Sequence, residues 1–448
     1  MKRDAEKCLV DWKGRTERHP LLVRGARQTG KSYLVENFGN TYFANTVVAN
    51  FEFKPALKEC FTTLDPDEIV NKLQLMLGTQ IKDEETLLFL DEIQECPQAI
   101  VSLRYFKEKR PRLAVIGAGS LLEFALKKEN FKMPVGRVEF LYLTPLSFSE
   151  FLDAGGNTNL REFLAGLKVT DKVEPPIHQK LIDLLRLYFL LGGMPAVLNE
   201  YFSSKNIVNC QRAQSSILQT FRGDFAKYSK TVQHKYLEKA FDAAPRLVGQ
   251  RVKYVNIDTE MRSRDLKNAL DMLSLAAIIK KVIHSSSSGV PLGAQTDENK
   301  FKINFLDVGL VQNACGLAID INTNKDLLQI NAGAVAEQFV GQEICANNDK
   351  FQPANLYFWA RDTRSSSAEV DYVISTGPAI FPIEVKAGKT GRLRSLKLFM
   401  EEKKTRFGIR ISQEPLLFYD DILSLPLYMI EHCARFVEEI RARNSTSS

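Results

Sequence analysis

Residues 21–35 read LLVRGARQTGKSYLV. A short apolar run leads into Gly25-Ala26-Arg27-Gln28-Thr29-Gly30-Lys31-Ser32, and residues of helical character follow. This spacing, G-x-x-x-x-G-K-[ST] between a strand and a helix, leaves the chain few ways to fold. Gly25 and Gly30 let the backbone curl so that successive N–H groups point into one concavity. The helix that follows adds unpaired N–H groups and the positive end of its dipole. Such a cradle suits phosphate. Ala26, Arg27, Gln28 and Thr29 supply the middle of the loop. Lys31 has the reach for β- and γ-phosphates, and the Ser32 hydroxyl is the type of group that ligates Mg²⁺. The expected ligand is therefore ATP with Mg²⁺.

Hydrolysis needs a carboxylate for the metal and a group that orients water. Leu87-Leu88-Phe89-Leu90-Asp91-Glu92 supplies both. Four large apolar residues without alternation predict a parallel strand buried on both faces. Asp91 then falls at its carboxyl end, where open α/β sheets place their ligands. Asp91 is the expected Mg²⁺ partner and Glu92 the group that polarises the attacking water. A third strand, 113–116, runs into Gly117-Ala118-Gly119-Ser120, which makes Ser120 a candidate γ-phosphate sensor. Arg137, after Gly136, and Arg27 are both candidates for stabilising charge on a transferring phosphate. Residue order does not rank the two arginines.

At 448 residues the chain is long enough for two to four domains. It holds no run of about eighteen uncharged apolar residues, as a membrane span requires, and its first residues, MKRDAE, lack a secretory apolar segment. Seven cysteines (8, 60, 96, 210, 315, 345 and 433) are scattered without C-x-x-C spacing. That pattern predicts reduced thiols in a cytoplasm, neither a disulfide framework nor a zinc site. A net charge of +6 permits nucleic-acid binding without requiring it.

Expected strands at 21–24, 46–51, 87–90, 113–116 and 138–143 alternate with helical segments, the rhythm of a parallel sheet covered on both faces. The expected division is an ATPase core at 1–155, a helical lid or linker at 156–235, a winged-helix-like segment at 236–318 and a last domain at 319–448. In the third of these, helices at 236–244 and 263–275 precede strands at 277–284 and 301–305. Arg262, Arg264 and Lys267 can touch phosphates there, or can simply be solvated on a packing module.

A second constellation lies near the carboxyl end. Glu369-Val370-Asp371-Tyr372-Val373-Ile374 and Phe381-Pro382-Ile383-Glu384-Val385-Lys386 read as two strands joined by a turn at 375–378. Glu384 and Lys386, two apart, share one strand face. Asp371 and Glu384 can hold a divalent cation, with Glu337 completing the set from an upstream helix. Lys386 can position or deprotonate a water. Lys389, Arg392, Arg394 and Lys397 form a basic run suited to a nucleic-acid backbone. The alternative is an amphipathic sheet edge with its charges in water.

Together GARQTGKS, FLDEIQECP, GAGSLLEFAL, PVGRVEFLYLTPLSFSEFL and YFLLGGMPAVL resemble the bacterial and archaeal AAA-type ATPases that carry a C-terminal DUF4143 region. The resemblance runs from about residue 9 to residue 399. It implies an α/β chain: a P-loop NTPase parallel sheet, a helical segment, a winged-helix segment and a C-terminal α/β domain similar to restriction endonucleases. It implies nucleotide-binding roles for Gly25, Gly30, Lys31, Ser32, Asp91 and Glu92. It also implies a PD-(D/E)xK site at Glu337, Asp371, Glu384 and Lys386. Two positions depart from the usual pattern: Ser32 stands where Thr is commoner, and Val370 stands where Pro is expected. The implied function is an ATP-driven switch acting on the last domain. The alternatives there are an ATP-gated, metal-dependent nuclease or a non-enzymatic scaffold. DNA or RNA, a partner protein and a homo-oligomer stand open as partners, and no membrane is expected.

Overall fold

The computed structural model describes residues 1–126, 136–228, 231–316, 332–361, 368–387 and 393–446. Met133-Pro134, Lys389 and Arg392 lie outside the described residues. The chain divides into two compact units. The first comprises residues 1–144 with short pieces from 275–277 and 348–353. The remainder forms the second.

The first unit is built on β1 (Leu21–Arg24), β2 (Asn45–Asn50), β3 (Thr86–Asp91), β4 (Ala114–Ala118) and β5 (Glu139–Tyr142). They form one sheet, all parallel, in the order β2-β3-β4-β1-β5. β4 therefore separates β1 from β3. The absence of alternation in β3 has its reason here. Leu87 and Phe89 face one core, with Leu9, Trp12, Leu34 and Phe38 from the helices Ala5–Gly14 and Lys31–Tyr42. Leu88 and Leu90 face the other, with Ile69, Leu73, Ile100 and Phe106 from Pro66–Leu77 and Pro97–Lys109. Both faces are covered, so every residue of β3 is buried.

The second unit opens with helices Phe148–Ala154, Thr158–Gly166, Pro175–Leu191, Pro195–Ser204, Ile207–Tyr228 and Thr231–Ala243. Two sheets follow. One joins β6 (Ile279–Ser285), β7 (Thr296–Phe305), β8 (Leu356–Ala360) and β9 (Glu369–Val370) in the order β7-β6-β8-β9. The other joins β10 (Tyr372–Thr376), β11 (Ala379–Val385), β12 (Gly408–Ser412), β13 (Leu417–Tyr419) and β14 (Ile422–Pro426) in the order β10-β11-β12-β14-β13. The β6–β7 hairpin is not a free-standing wing. β6 pairs in parallel with β8, so the expected boundary at 318/319 falls between strands of one sheet. Arg262, Arg264 and Lys267 are exposed, while Leu266, Leu270 and Leu273 on the same helix are buried.

Two of the specific-looking motifs do architectural work around a buried carboxylate, Asp307. Its Oδ2 accepts from Gly193 N at 2.6 Å and its Oδ1 from Leu310 N at 3.0 Å. Gly192 has φ 73°, and a Cβ there would lie 1.9 Å from Asp307 Oδ1. A side chain at that position would displace the carboxylate. Gln342 donates to Tyr188 Oη at 2.8 Å and accepts from Val308 N at 2.8 Å, and Leu146 N donates to Gly193 O at 2.8 Å. Ser147 and Glu150 close a capping box at the start of helix Phe148–Ala154. The SFSE and LLGGMP segments thus meet in a hydrogen-bonded core that satisfies buried polar groups. Burial pushes Asp307 up to about 6 despite those N–H donors.

Glu343 lies in the same core. It is 1% exposed and accepts from Phe148 N at 3.0 Å. Burial first, and then the charges of Glu431 and Glu150, push its carboxyl from the ordinary 4.5 up to about 8. A raised carboxyl binds its proton more tightly in the folded chain. Its stabilisation is complete below the unfolded value and is lost as pH rises through the folded one. Chemical denaturation should therefore show the parent losing on the order of 3 kcal/mol relative to Glu343→Gln between about pH 5.5 and about pH 8.5. Equal pH slopes for the two proteins would refute this assignment.

Candidate functional site

The phosphate loop connects β1 to the helix Lys31–Tyr42. Gly25 has φ 149°, and a Cβ on it would lie 2.2 Å from Leu143 O, so only glycine fits. Gln28 also adopts a left-handed φ of 64°. Thr29 is fully buried, and its hydroxyl donates to Ala26 O at 2.9 Å, tying the loop to itself. Arg3, 5% exposed, donates to Thr29 O at 3.0 Å and to Thr144 O at 2.7 Å. An amino-terminal guanidinium thus braces the loop from behind.

Lys31 is 7% exposed and donates to Gly25 O at 3.0 Å and to Ala26 O at 2.8 Å. Burial lowers its ammonium to about 8, Glu92 and Asp91 act upward, and Arg27 adds to the lowering. These influences put Lys31, Arg27, Asp91 and Glu92 in one electrostatic neighbourhood. Asp91, 6% exposed at the end of β3, accepts from Ser32 Oγ at 3.0 Å and from Asn50 Nδ2 at 2.8 Å. Hydroxyl and carboxylate already converge, which suits Mg²⁺ held between Ser32 and Asp91. Glu92 follows in a left-handed conformation, φ 49°, uncommon outside glycine. Its Oε2 accepts from Gln94 Nε2 at 2.6 Å, so the carboxylate is held. In the β3–β4 register Asp91 is level with Ala118, which brings Ser120 to the same edge of the sheet.

Arg137 is not brought there. It precedes Glu139, which is level with Leu21 at the start of β1, whereas Gly25 follows the end of β1. Strand rise places those two levels about 13 Å apart, and Arg137 lies two residues further back in the chain. Arg137 instead pairs with Glu108 at 3.4 Å and is half-exposed. Arg27 is the arginine that belongs to the loop of this chain.

The carboxyl-terminal constellation differs from expectation in its central charge. Lys302 of β7, with its side chain 1% exposed, sets its ammonium 2.8 Å from Glu337 Oε1, 2.7 Å from Glu369 Oε1 and 3.5 Å from Asp371 Oδ1. Burial acts to lower the Lys302 ammonium, but Glu337, Asp371 and Glu369 outweigh it and hold it well above the ordinary lysine value. Asp371 Oδ2 accepts from Val385 N at 2.8 Å, and Glu384 Oε1 accepts from Lys386 Nζ at 2.5 Å. Burial, then Asp371, push the Glu384 carboxyl upward. Among the described residues no group of three or more His, Cys, Asp or Glu side chains is arranged to hold a metal ion. Glu337 faces an ammonium instead of completing a cation site, and the set Glu337, Asp371 and Glu384 does not fit one. Lys397 of the downstream basic run pairs with Asp420 at 3.0 Å.

Residues 17–152 match the family model described as an AAA domain. Residues 182–322 and 332–428 match two domains of unknown function, DUF8612 and DUF4143. The chain carries an AAA domain followed by a DUF4143 region. The Walker-type ATPase PABY2304 of Pyrococcus abyssi is similar at 16% identity, over 70% of this chain and 95% of that one, with a TM-score of 0.44. The ORC2 protein of Aeropyrum pernix, in ADPNP–ADP complexes, is similar at 13% identity over 70% and 92%, with a TM-score of 0.35. No curated protein matches the chain.

In the AAA domain the structure draws Gly25–Ser32, Asp91, Glu92 and Ser120 to one edge of the sheet. Three residues there escaped the motif: Arg3, Asn50 and Gln94. Asn50 had a signal, since a polar residue closing an apolar strand parallel to β3 arrives beside Asp91. In the second unit Lys302, within the DUF8612 match, and Glu369, within the DUF4143 match, escaped. Lys302 also had a signal: it interrupts the otherwise apolar and amide run FKINF, whose five positions are all buried. Among the described residues no single helix is long and apolar enough to cross a membrane, and all seven cysteines are free thiols.

Proposed function

We propose that this chain is an ATP-hydrolysing switch whose nucleotide state governs what its DUF4143 region does. The convergence of Ser32 and Asp91 beside the buried Lys31 carries the proposal. In it, the loop N–H groups and the Lys31 ammonium bind the phosphates. Ser32 and Asp91 hold Mg²⁺, which when bound neutralises phosphate charge. Glu92, kept in place by Gln94, accepts a proton from the attacking water. Ser120 and Arg27 stand near enough to the loop to respond to the terminal phosphate. Purified protein should hydrolyse ATP with Mg²⁺ and lose turnover when EDTA removes the metal. Metal-independent turnover would overturn the assignment of Ser32 and Asp91.

Lys302 among the carboxylates favours the non-cleaving form of the DUF4143 region over an ATP-gated nuclease. In this second reading, the region is a binding scaffold for nucleic acid or a partner protein. Salt-sensitive nucleic-acid binding that is unchanged in Asp371→Ala would support it. Cleavage of DNA or RNA that disappears in Asp371→Ala and in Lys386→Ala would restore the nuclease.

A further inference from the structure

We propose that the Lys302 ammonium is a built-in cation that takes the place of a divalent metal in the DUF4143 carboxylate centre and keeps that centre metal-free. The proposal is independent of what the AAA domain does with nucleotide.

Three carboxylates converge on Lys302 Nζ from three parts of the second unit. Glu337 comes from helix Ala332–Ala346, Glu369 from β9, and Asp371 from the turn between β9 and β10. This is the donor chemistry a hard divalent cation uses. Ammonium and metal cannot share it, because two like charges inside a buried cluster repel strongly. Three of the other carboxylate oxygens are also committed. Glu369 Oε2 accepts from Arg251 Nε at 2.6 Å, Asp371 Oδ2 from Val385 N, and Glu384 Oε1 from Lys386 Nζ. Glu384 Oε2 alone in this cluster is buried without a hydrogen-bond partner. One orphan oxygen does not make a metal site, which normally draws on several oxygens.

A lysine on a strand whose last five positions are buried would be costly without such partners. Its retention is explained by what it joins. The ammonium links the β6–β7 hairpin to the helix and strands that follow residue 332, and it lies 5.5 Å from the ring centroid of Phe358 on β8. The centre therefore works as a charge clasp within the second unit, and water activation by a metal has no place in it.

Mn²⁺ provides the test. EDTA-treated, full-length protein would be titrated with Mn²⁺ and free ion followed by electron paramagnetic resonance. Lys31→Ala serves as the background in every arm, to weaken uptake at the phosphate loop. In that background, Mn²⁺ uptake should be the same with and without Asp371→Asn. The added Lys302→Met should gain one Mn²⁺ site that Asp371→Asn removes, with a rise in melting temperature on adding Mn²⁺. Should Lys302→Met fail to fold, Lys302→Gln, neutral but able to hydrogen-bond the carboxylates, takes its place. Uptake in the Lys302-containing protein that depends on Asp371 would overturn the proposal. So would a folded Lys302→Met or Lys302→Gln protein that gains no site.

Discussion

Lys31→Ala should bring ATP turnover to background, with kcat/KM falling by at least ~10³-fold. Two contributions set the size. A charge-assisted contact to a buried group is worth about 1.5–3 kcal/mol in binding. Removing a preorganised donor from charge that develops in the transition state costs about 10²–10³ in kcat. Lys31 qualifies on both counts, since it is 7% exposed and sits against the loop carbonyls of Gly25 and Ala26. With its ammonium lowered to about 8, it remains mainly cationic at neutral pH. Lys31→Arg should not rescue, because a planar guanidinium is larger and differently shaped than the compact ammonium the loop encloses. Direct nucleotide binding and steady-state turnover check this together. A Lys31→Ala protein that hydrolyses ATP like its parent would remove the phosphate loop from the mechanism.

Glu92→Gln should separate binding from chemistry. The amide keeps the size of the carboxylate and can occupy the same left-handed backbone, but it cannot accept a proton. Nucleotide affinity should stay within about threefold, while kcat falls ~10²–10⁴-fold, the usual contribution of a positioned general base. Such a pattern marks an interaction made in the transition state and not in the ground state. Single-turnover hydrolysis beside equilibrium binding distinguishes the outcomes. Loss of affinity with kcat unchanged would assign Glu92 to nucleotide binding instead. The 2.6 Å contact from Gln94 gives a companion expectation: Gln94→Leu should lower kcat less than Glu92→Gln does, because it loosens the carboxylate without deleting it.

The legible parts of this chain are those whose physics is local. Gly25 and Gly30 announce a loop because backbone torsions are set residue by residue. Leu87–Leu90 announces a doubly covered strand because both its faces must be apolar. The place of Arg137 was legible too: it precedes the expected strand at 138–143, and in a parallel sheet that end lies opposite the edge that holds the phosphate loop. The SFSE and LLGGMP segments gave no hint of Asp307, whose carboxylate reaches Gly193 across 114 residues of chain.

The residues at 337, 371, 384 and 386 form the sharpest contrast. As types in order they describe a metal site equally well with or without Lys302. Lys302 stands 35 residues from Glu337 and 69 from Asp371, and its charge enters only when β7 and the helix Ala332–Ala346 pack together. The sequence by itself determined the phosphate loop, the strand that ends in Asp91-Glu92 and the parallel sheet carrying both, because short-range sterics and the period of buried side chains decide those. Tertiary structure alone decided which cation the carboxylates hold. Charge pairing acts through space, and residues distant in sequence become neighbours only in the folded chain.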